Sequence, residues 1–145
     1  MFERRLLGGD ANLEASIAQA LTKKKVWPAE KFFAAKYQEQ IERHKQFDDV
    51  DYNLEPNIKA SPGGMRDIHT ALWICNRNFG TTDISRLVEM DVLTAEEGKW
   101  LIEGRRFLWW VRFGLHLIAG RKEDQLHFSR QREPVSYTHL RAHET

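Results

Sequence analysis

Cysteine is scarce in this sequence, and neither sign of charge predominates. The single cysteine, Cys75, excludes an internal disulfide and a cysteine-rich metal site, and it favours a reducing, cytoplasmic location. Lys and Arg together number 22 and Asp and Glu together number 21, so the formal net charge is +1. Because no overall field attracts the chain to polyanions, we predict neither nucleic acid nor a membrane as a partner.

Long apolar runs are also missing. The longest apolar stretches, such as residues 107–110, are interrupted within a few residues by Arg106 and Arg112, whereas a membrane span needs about 20 apolar residues. The N-terminus has no apolar segment typical of a secretory signal. A chain of 145 residues is long enough to bury a core, so one compact domain is expected.

Helical periodicity and capping residues predict a mainly α fold. Thr94 and Glu97 form a capping box before the last and longest helix. One short strand, Val50 to Leu54, is predicted from alternating apolar and polar residues that end at Pro56. The predicted helices span residues 12–25, 28–46, 65–78, 83–90 and 95–120. The expected fold is therefore a helical, bundle-like region with one short strand.

The last predicted helix is unusually apolar, which suggests that protein covers more than one of its sides. Tryptophans in this helix and in the third helix recur at packing spacing, without the basic neighbours of a base-stacking groove. We therefore predict that they belong to the core. These tryptophans are Trp73, Trp100, Trp109 and Trp110.

A strand, a glycine turn and a helix follow one another between residues 50 and 78. Lys59, Arg66, the turn amides at Gly63 and Gly64, and the positive end of the helix could together hold a phosphate. Glu55 could help to hold a divalent cation on the same ligand. The plain alternative is that the glycines form only a turn. In that case the charged residues Glu55, Lys59, Arg66 and Asp67 form an ion-pair cluster at the surface. Spacing alone favours the plain alternative, because glycine turns before helices are common.

The amino-acid sequence of this segment resembles that of one known family. Residues 54–59 (Leu-Glu-Pro-Asn-Ile-Lys) and residues 61–68 (Ser-Pro-Gly-Gly-Met-Arg-Asp-Ile) closely resemble the signature of the bifunctional PII uridylyltransferase/uridylyl-removing enzymes. Further similarity includes Arg43-His44 and residues 112–117 (Arg-Phe-Gly-Leu-His-Leu), and it extends to about Glu133. Members of this family have a nucleotidyltransferase domain, a helical region, an HD phosphohydrolase domain and two ACT domains.

The resemblance implies a fragment of an enzyme that transfers UMP from UTP to the regulatory protein PII and removes it by hydrolysis. Mg²⁺ is the implied cofactor and glutamine the implied effector of the complete enzyme. Residues 1–64 would end a truncated nucleotidyltransferase domain, and residues 65–133 would form the helical region. Residues 134–145 are interpreted as a foreign tail, because residues 135–145 resemble one reading frame of a sequencing adapter.

The resemblance also assigns roles to the residues around the glycine turn. Glu55 would be the third carboxylate of the superfamily's metal site, and thus both catalytic and metal-binding. The resemblance also favours the phosphate-binding interpretation of Lys59, Gly63, Gly64 and Arg66 over the plain alternative. The sequence has neither a Gly-Ser turn followed by an Asp-x-Asp pair nor a His-Asp dipeptide. We therefore expect the isolated chain to be inactive.

Two alternatives stay open at this point. One is a fragment related to glutamine synthetase adenylyltransferase, although the Glu-Pro-Asn-Ile-Lys and Ser-Pro-Gly-Gly motifs favour the uridylyltransferase. The other is a non-catalytic helical protein-binding module, which would have no need for a nucleotide site around Glu55, Lys59 and Gly63.

Overall fold

The computed structural model describes residues 7–21, 27–48 and 54–131. The described residues are mainly helical, and their packing is bundle-like, with α2 against α3 and α5 against both α3 and α4. This confirms the predicted fold class. The elements are α1 (Ala11–Ala20), α2 (Ala29–Asp48), α3 (Met65–Phe79), α4 (Ile84–Glu89), α5 (Ala95–Ala119) and a short 3-10 helix (Phe128–Arg130).

Local capping signals set several helix boundaries. The predicted capping box at the start of α5 is present: Thr94 Oγ1 accepts the Glu97 N–H, and Glu97 Oε2 accepts the Thr94 N–H at 2.8 Å. Asp83 caps α4 by accepting the N–H of Ser85 at 2.9 Å. Helix α3 ends at Gly80 in the left-handed conformation, with a φ of 79°.

One part of the core joins α3, α4 and α5. Leu72, Ile84 and Leu87 are buried together there, and Leu87 has no exposed surface. Helices α4 and α5 approach closely because Gly98 has no side chain. A Cβ atom at this position would lie 2.6 Å from a methyl carbon of Val88. This packing fixes α5 against the middle of the structure.

A second part of the core fixes the loop that precedes α3. Ile58 of this loop is buried with Val111 and Leu115 of α5. The same loop forms an isolated antiparallel bridge between Asn57 and Gln125, which lies in the segment after α5. The residues before α3 therefore pack directly on the helical region.

The predicted strand, Val50 to Leu54, lies outside the described residues except for its last residue. Leu54 and Glu55 form a bend. The proposed foreign tail, residues 134–145, also lies outside the described part of the chain. Among the described helices, none has the length and apolar character needed to cross a bilayer.

The prediction that the tryptophans belong to the core is wrong for the three in α5. Trp100 is 59% exposed, Trp109 51% and Trp110 37%. In the described structure, α5 packs on its neighbours through a narrower side that includes Val111 and Leu115. Periodicity identified an apolar helix but could not show which side its neighbours cover. Trp73, in α3, is half-buried and stacks on His69 with the ring centres 6.0 Å apart.

Candidate functional site

The loop between Pro56 and α3 is held by its own hydrogen bonds. Asn57 Oδ1 accepts the N–H groups of Lys59 and Ala60 at 3.1 and 2.8 Å, a typical Asx turn. Ser61 Oγ accepts the Asn57 N–H at 3.0 Å. Asn57 and Ser61 therefore fix the loop backbone on either side of Lys59.

The two glycines of the loop are required for different reasons. Gly63 has a φ of 75°, a left-handed conformation that glycine adopts without strain, and a Cβ atom added there would meet no atom within 4 Å. Gly64 has an ordinary φ of −77°, but a Cβ atom would lie 2.8 Å from the Ser61 carbonyl oxygen and 2.9 Å from that of Ile58. Gly64 therefore permits a close approach of backbone segments.

The amide groups at the start of α3 already have internal acceptors. The N–H of Gly64 donates to the Ser61 carbonyl at 2.8 Å, that of Met65 to the Ile58 carbonyl at 3.0 Å, and that of Arg66 to the Lys59 carbonyl at 2.8 Å. A phosphate at this helix end would have to replace these bonds. The phosphate-binding assignment of Gly63 and Gly64 stays a prediction, and their observed role is to shape the loop.

The side chains of Lys59 and Arg66 differ from the other cations nearby. In the described structure, neither the Lys59 ammonium group nor the Arg66 guanidinium group takes part in a hydrogen bond or contact ion pair. Both residues are half-buried, and their backbones are joined by the Arg66 N–H bond to Lys59. The loop and the start of α3 therefore carry two cations, on hydrogen-bonded backbone positions, that are available to an anionic ligand.

Asp67, in the first turn of α3, connects the loop to α2. Its Oδ1 accepts a hydrogen bond from Arg43 Nη2 at 2.5 Å, and its Oδ2 lies 2.9 Å from His44 Nε2. Oδ2 also accepts the Gly63 N–H at 2.8 Å. The plain interpretation placed Asp67 in an ion-pair cluster. The structure does not pair Asp67 with Glu55, Lys59 or Arg66. Its ion-pair partners, Arg43 and His44, come from α2, and the Asp67 side chain is only 16% exposed.

Asp124 makes a comparable connection between the loop and α5. Its Oδ1 accepts a hydrogen bond from Arg112 Nε at 2.6 Å and lies 3.5 Å from His116 Nε2. Its backbone carbonyl accepts the Ile58 N–H at 2.8 Å. Burial raises the pKa of Asp124, but Arg112, His116 and the positive charge of Lys59 outweigh this and lower it below its ordinary range.

Glu55 is tied to the segment after α5. One carboxylate oxygen accepts the Phe128 N–H at 2.7 Å, and the other lies 3.2 Å from His127 Nδ1. Its backbone carbonyl accepts a hydrogen bond from the Gln125 side chain. The bond from Phe128, followed by that from His127, lowers the pKa of the Glu55 carboxyl below its ordinary value. Glu55 thus has a capping role that the sequence did not predict.

The described residues do not by themselves form a metal site. Within the described ranges, no three His, Cys, Asp or Glu side chains are grouped closely enough to hold an ion. The assignment of Glu55 to a metal stays a prediction. One feature was also missed in the sequence: Asp49 and Asp51 have the Asp-x-Asp spacing, without a preceding Gly-Ser turn. They lie outside the described residues.

An exposed apolar face runs along α5, opposite the side that packs on the core. Trp109, Trp110 and Phe113 line a shallow apolar hollow on this face. Ile102 and Leu117 extend the face along the helix, with 41% and 59% of their surfaces exposed. The three aromatic residues are therefore not part of the described core.

The sequence did not reveal the roles of Asp67 and Asp124. A sequence signal existed for their partners, because Arg43-His44 and the Arg112 to Leu117 segment were among the residues that carry the resemblance. The two aspartates are distant in sequence from at least some of these partners, so only packing could pair them.

The chain is similar to one family of known proteins over most of its length. The family model described as GlnD PII-uridylyltransferase matches residues 31–144, a range that includes most of the predicted foreign tail. Curated proteins named bifunctional uridylyltransferase/uridylyl-removing enzyme also match. The one from Stutzerimonas stutzeri is 44% identical over 132 residues, and that from Azotobacter vinelandii is 43% identical over 133 residues.

These matches cover nearly all of this chain but only a small part of each relative. The alignments cover 91% and 92% of this chain but only 15% of each relative. A relative from Pseudomonas aeruginosa, 43% identical over 132 residues, shows the same proportions. The chain therefore spans about 15% of the length of the curated relatives that it matches. No solved structure matches the chain.

Proposed function

The chain belongs to the GlnD PII-uridylyltransferase family, and we propose that it is a segment of a longer bifunctional enzyme that transfers UMP from UTP to PII. The relatives' names support both uridylyl transfer and uridylyl removal as the activities of that enzyme. This segment would join the end of the nucleotidyltransferase domain, up to residue 64, to the helical region that follows. Cytoplasmic location and regulation by glutamine are parts of the same proposal.

The observation that carries the proposal is a pair of cations on an ordered loop that make no contact ion pair with any described residue. Lys59 and Arg66 have no contact ion pair in the described structure, and the loop backbone between them is fixed by internal hydrogen bonds. Nucleotidyl transfer depends on positioning the triphosphate and stabilising its developing charge. Two available cations on a fixed loop backbone are suited to this task, and the proposed ligand is the triphosphate of UTP.

Mg²⁺ belongs to the proposal for the complete enzyme. When bound, it would neutralise charge on the triphosphate. Glu55 would offer one carboxylate, but in this structure its oxygens already contact His127 and Phe128. The described residues supply no complete site. Most ligands would therefore have to come from residues other than the described ones.

Substitutions of the two cations in the complete enzyme test this proposal. We expect Lys59→Met and Arg66→Met each to raise the KM for UTP by about 10-fold or more, since a hydrogen bond to a charged group contributes about 1.5–3 kcal/mol. Uridylyl removal should be retained. Lys122→Met removes an exposed cation outside the loop and serves as the matched control. Unchanged UTP kinetics in both loop variants would contradict the proposed phosphate contact.

A further inference from the structure

Two Arg–His pairs flank the loop that carries Lys59, and each pair converges on a single aspartate. Arg43 and His44 of α2 contact one aspartate, and Arg112 and His116 of α5 contact the other. The proposed phosphate contacts do not use these four residues. Their arrangement on both sides of the loop requires another explanation.

The first aspartate fixes the glycine end of the loop. Asp67 accepts the Gly63 N–H, and its other contacts are to Gln40, Arg43 and His44 of α2. Two further nitrogens of Arg43, Nε and Nη1, are buried without a hydrogen-bond partner among the described residues. The Arg43 guanidinium group is therefore held mainly by Asp67, and Asp67 couples the loop to the position of α2.

The second aspartate fixes the opposite end. The backbone of Asp124 bonds to Ile58, while its carboxylate bonds to Arg112 and lies near His116. The positive charge of Lys59 also acts on this carboxylate and helps to lower its pKa. Because Arg112 Nε occupies Oδ1 at 2.6 Å, Asp124 is already paired. Arg112 and His116 therefore hold the Asp124 carboxylate through Oδ1, and Lys59 makes no contact ion pair with it in the described structure.

Both pairings lie in partly desolvated surroundings. The Asp67 side chain is 16% exposed and that of Asp124 is 14% exposed. A carboxylate that is mostly shielded from water is destabilising when its partner is removed, because the remaining charge is incompletely solvated. Each aspartate therefore holds its arginine in one geometry. Between the two anchors lies Lys59, and Arg66 directly follows the loop.

We propose that Asp67 and Asp124 are positioning residues for uridylyl transfer. They hold both ends of the loop so that Lys59 and Arg66 keep a fixed separation and remain available to the triphosphate. This inference rests on the proposed function, and it adds residues that touch neither the nucleotide nor the reacting atoms. Misplacement of a catalytic or binding group by about 1 Å can reduce a rate by about 10²-fold.

The test uses Asp67→Asn and Asp124→Asn in the complete enzyme. Asparagine retains an acceptor oxygen but lacks the charge that holds the arginine. We expect kcat/KM for UTP to fall by about 10²-fold, mainly through a higher KM for UTP. The KM for PII and the rate of uridylyl removal should change less than about threefold. Asp83→Asn is the matched control, because Asp83 caps α4 and does not contact the loop.

Loss of the counter-charge to Arg43, whose Nε and Nη1 atoms are buried, could prevent Asp67→Asn from folding. In that case Arg43→Gln/Asp67→Asn, which removes both charges, carries the test with the same expected loss. The proposal is overturned if the variants match the control in UTP kinetics, or if both activities and the melting temperature fall together. If the wild-type complete enzyme does not transfer UMP, the proposed function itself fails, and this outcome is distinct from either of the others.

Discussion

The N–H of Gly64 donates a hydrogen bond to the Ser61 carbonyl oxygen at 2.8 Å, and a Cβ atom on Gly64 would lie 2.8 Å from that same oxygen. The short approach closes the loop on the first turn of α3. It also makes this position intolerant of any side chain, although its φ of −77° is ordinary for all residues.

Gly64→Ala should therefore destabilise the loop more than Gly63→Ala. The alanine methyl group at residue 64 meets backbone atoms that cannot rotate away, and overpacking of this kind costs about 1–3 kcal/mol. At residue 63 there is open space, and only left-handed backbone strain of about 1 kcal/mol is expected. Urea unfolding gives the free energies. Amide exchange at Met65 and Arg66 should accelerate only in Gly64→Ala, and equal effects would contradict the close-approach explanation.

Two leucines of α5 provide a test of which side of this helix is packed. Leu115 has no exposed surface, whereas Leu117 is 59% exposed. Leu115→Ala should lower the free energy of unfolding by about 2–5 kcal/mol because it leaves a cavity in the core. Leu117→Ala should change it by less than about 0.5 kcal/mol. The measurement is chemical denaturation of both variants, which carry the same substitution two residues apart. Similar losses of unfolding free energy would show that both sides of α5 are packed.

The lowered pKa of Glu55 predicts an acid-sensitive contribution to stability. Its pKa is below the ordinary 4.5 in the folded chain, because the ionised carboxylate accepts hydrogen bonds from Phe128 and His127. As the pH falls, Glu55 is therefore protonated at a higher pH in the unfolded chain than in the folded chain. The stabilisation is present above about pH 4.5 and is lost as the pH decreases through the folded value.

The measurement is the unfolding free energy against pH for the wild-type chain and Glu55→Gln. Glutamine keeps an acceptor oxygen for the Phe128 N–H but does not titrate, so the difference between the two curves should shrink below about pH 4.5. Other carboxylates, including Asp124, titrate in both proteins and cancel in this difference. A difference that is constant between neutral pH and pH 3 would show that ionised Glu55 contributes nothing.

The same substitution tests the predicted catalytic role in the complete enzyme. If Glu55 acts on the metal or the reacting phosphate, Glu55→Gln should reduce UMP transfer by about 10² to 10³-fold. Uridylyl removal should be retained, since the family resemblance places it at a separate site. Circular dichroism checks folding. Transfer within a few-fold of wild type would leave Glu55 with its capping role alone.

The isolated chain should not uridylylate PII. Its described residues supply no group of three metal-ligating side chains, and positioning of metal and nucleotide is central to this reaction. Incubation of the purified chain with UTP, Mg²⁺ and PII should leave the mass of PII unchanged, whereas the complete enzyme should add one UMP per modified site. Robust transfer by the chain alone would show that it contains a complete site.

Much of the helical structure was predictable from the sequence because its signals are local. The capping box joins Thr94 and Glu97, only three residues apart, and the start of α4 depends on Asp83 and Ser85. The turn at Gly63 and Gly64 was also predicted. Its amides were expected to face a phosphate, however, whereas those of Gly63 and Gly64 donate to Asp67 and Ser61.

Only the tertiary structure decided how the site is supported and which surfaces are covered. Asp67 is 24 residues from Arg43, and Asp124 lies 66 residues after Ile58, so no local pattern could pair them. Side-chain hydrogen bonds act over about 3 Å, and their partners are therefore set by helix packing. The sequence by itself determined the family resemblance and where helices form. Among the described residues, packing pairs Arg43 with Asp67 and Arg112 with Asp124, and it leaves Lys59 and Arg66 without a contact ion pair.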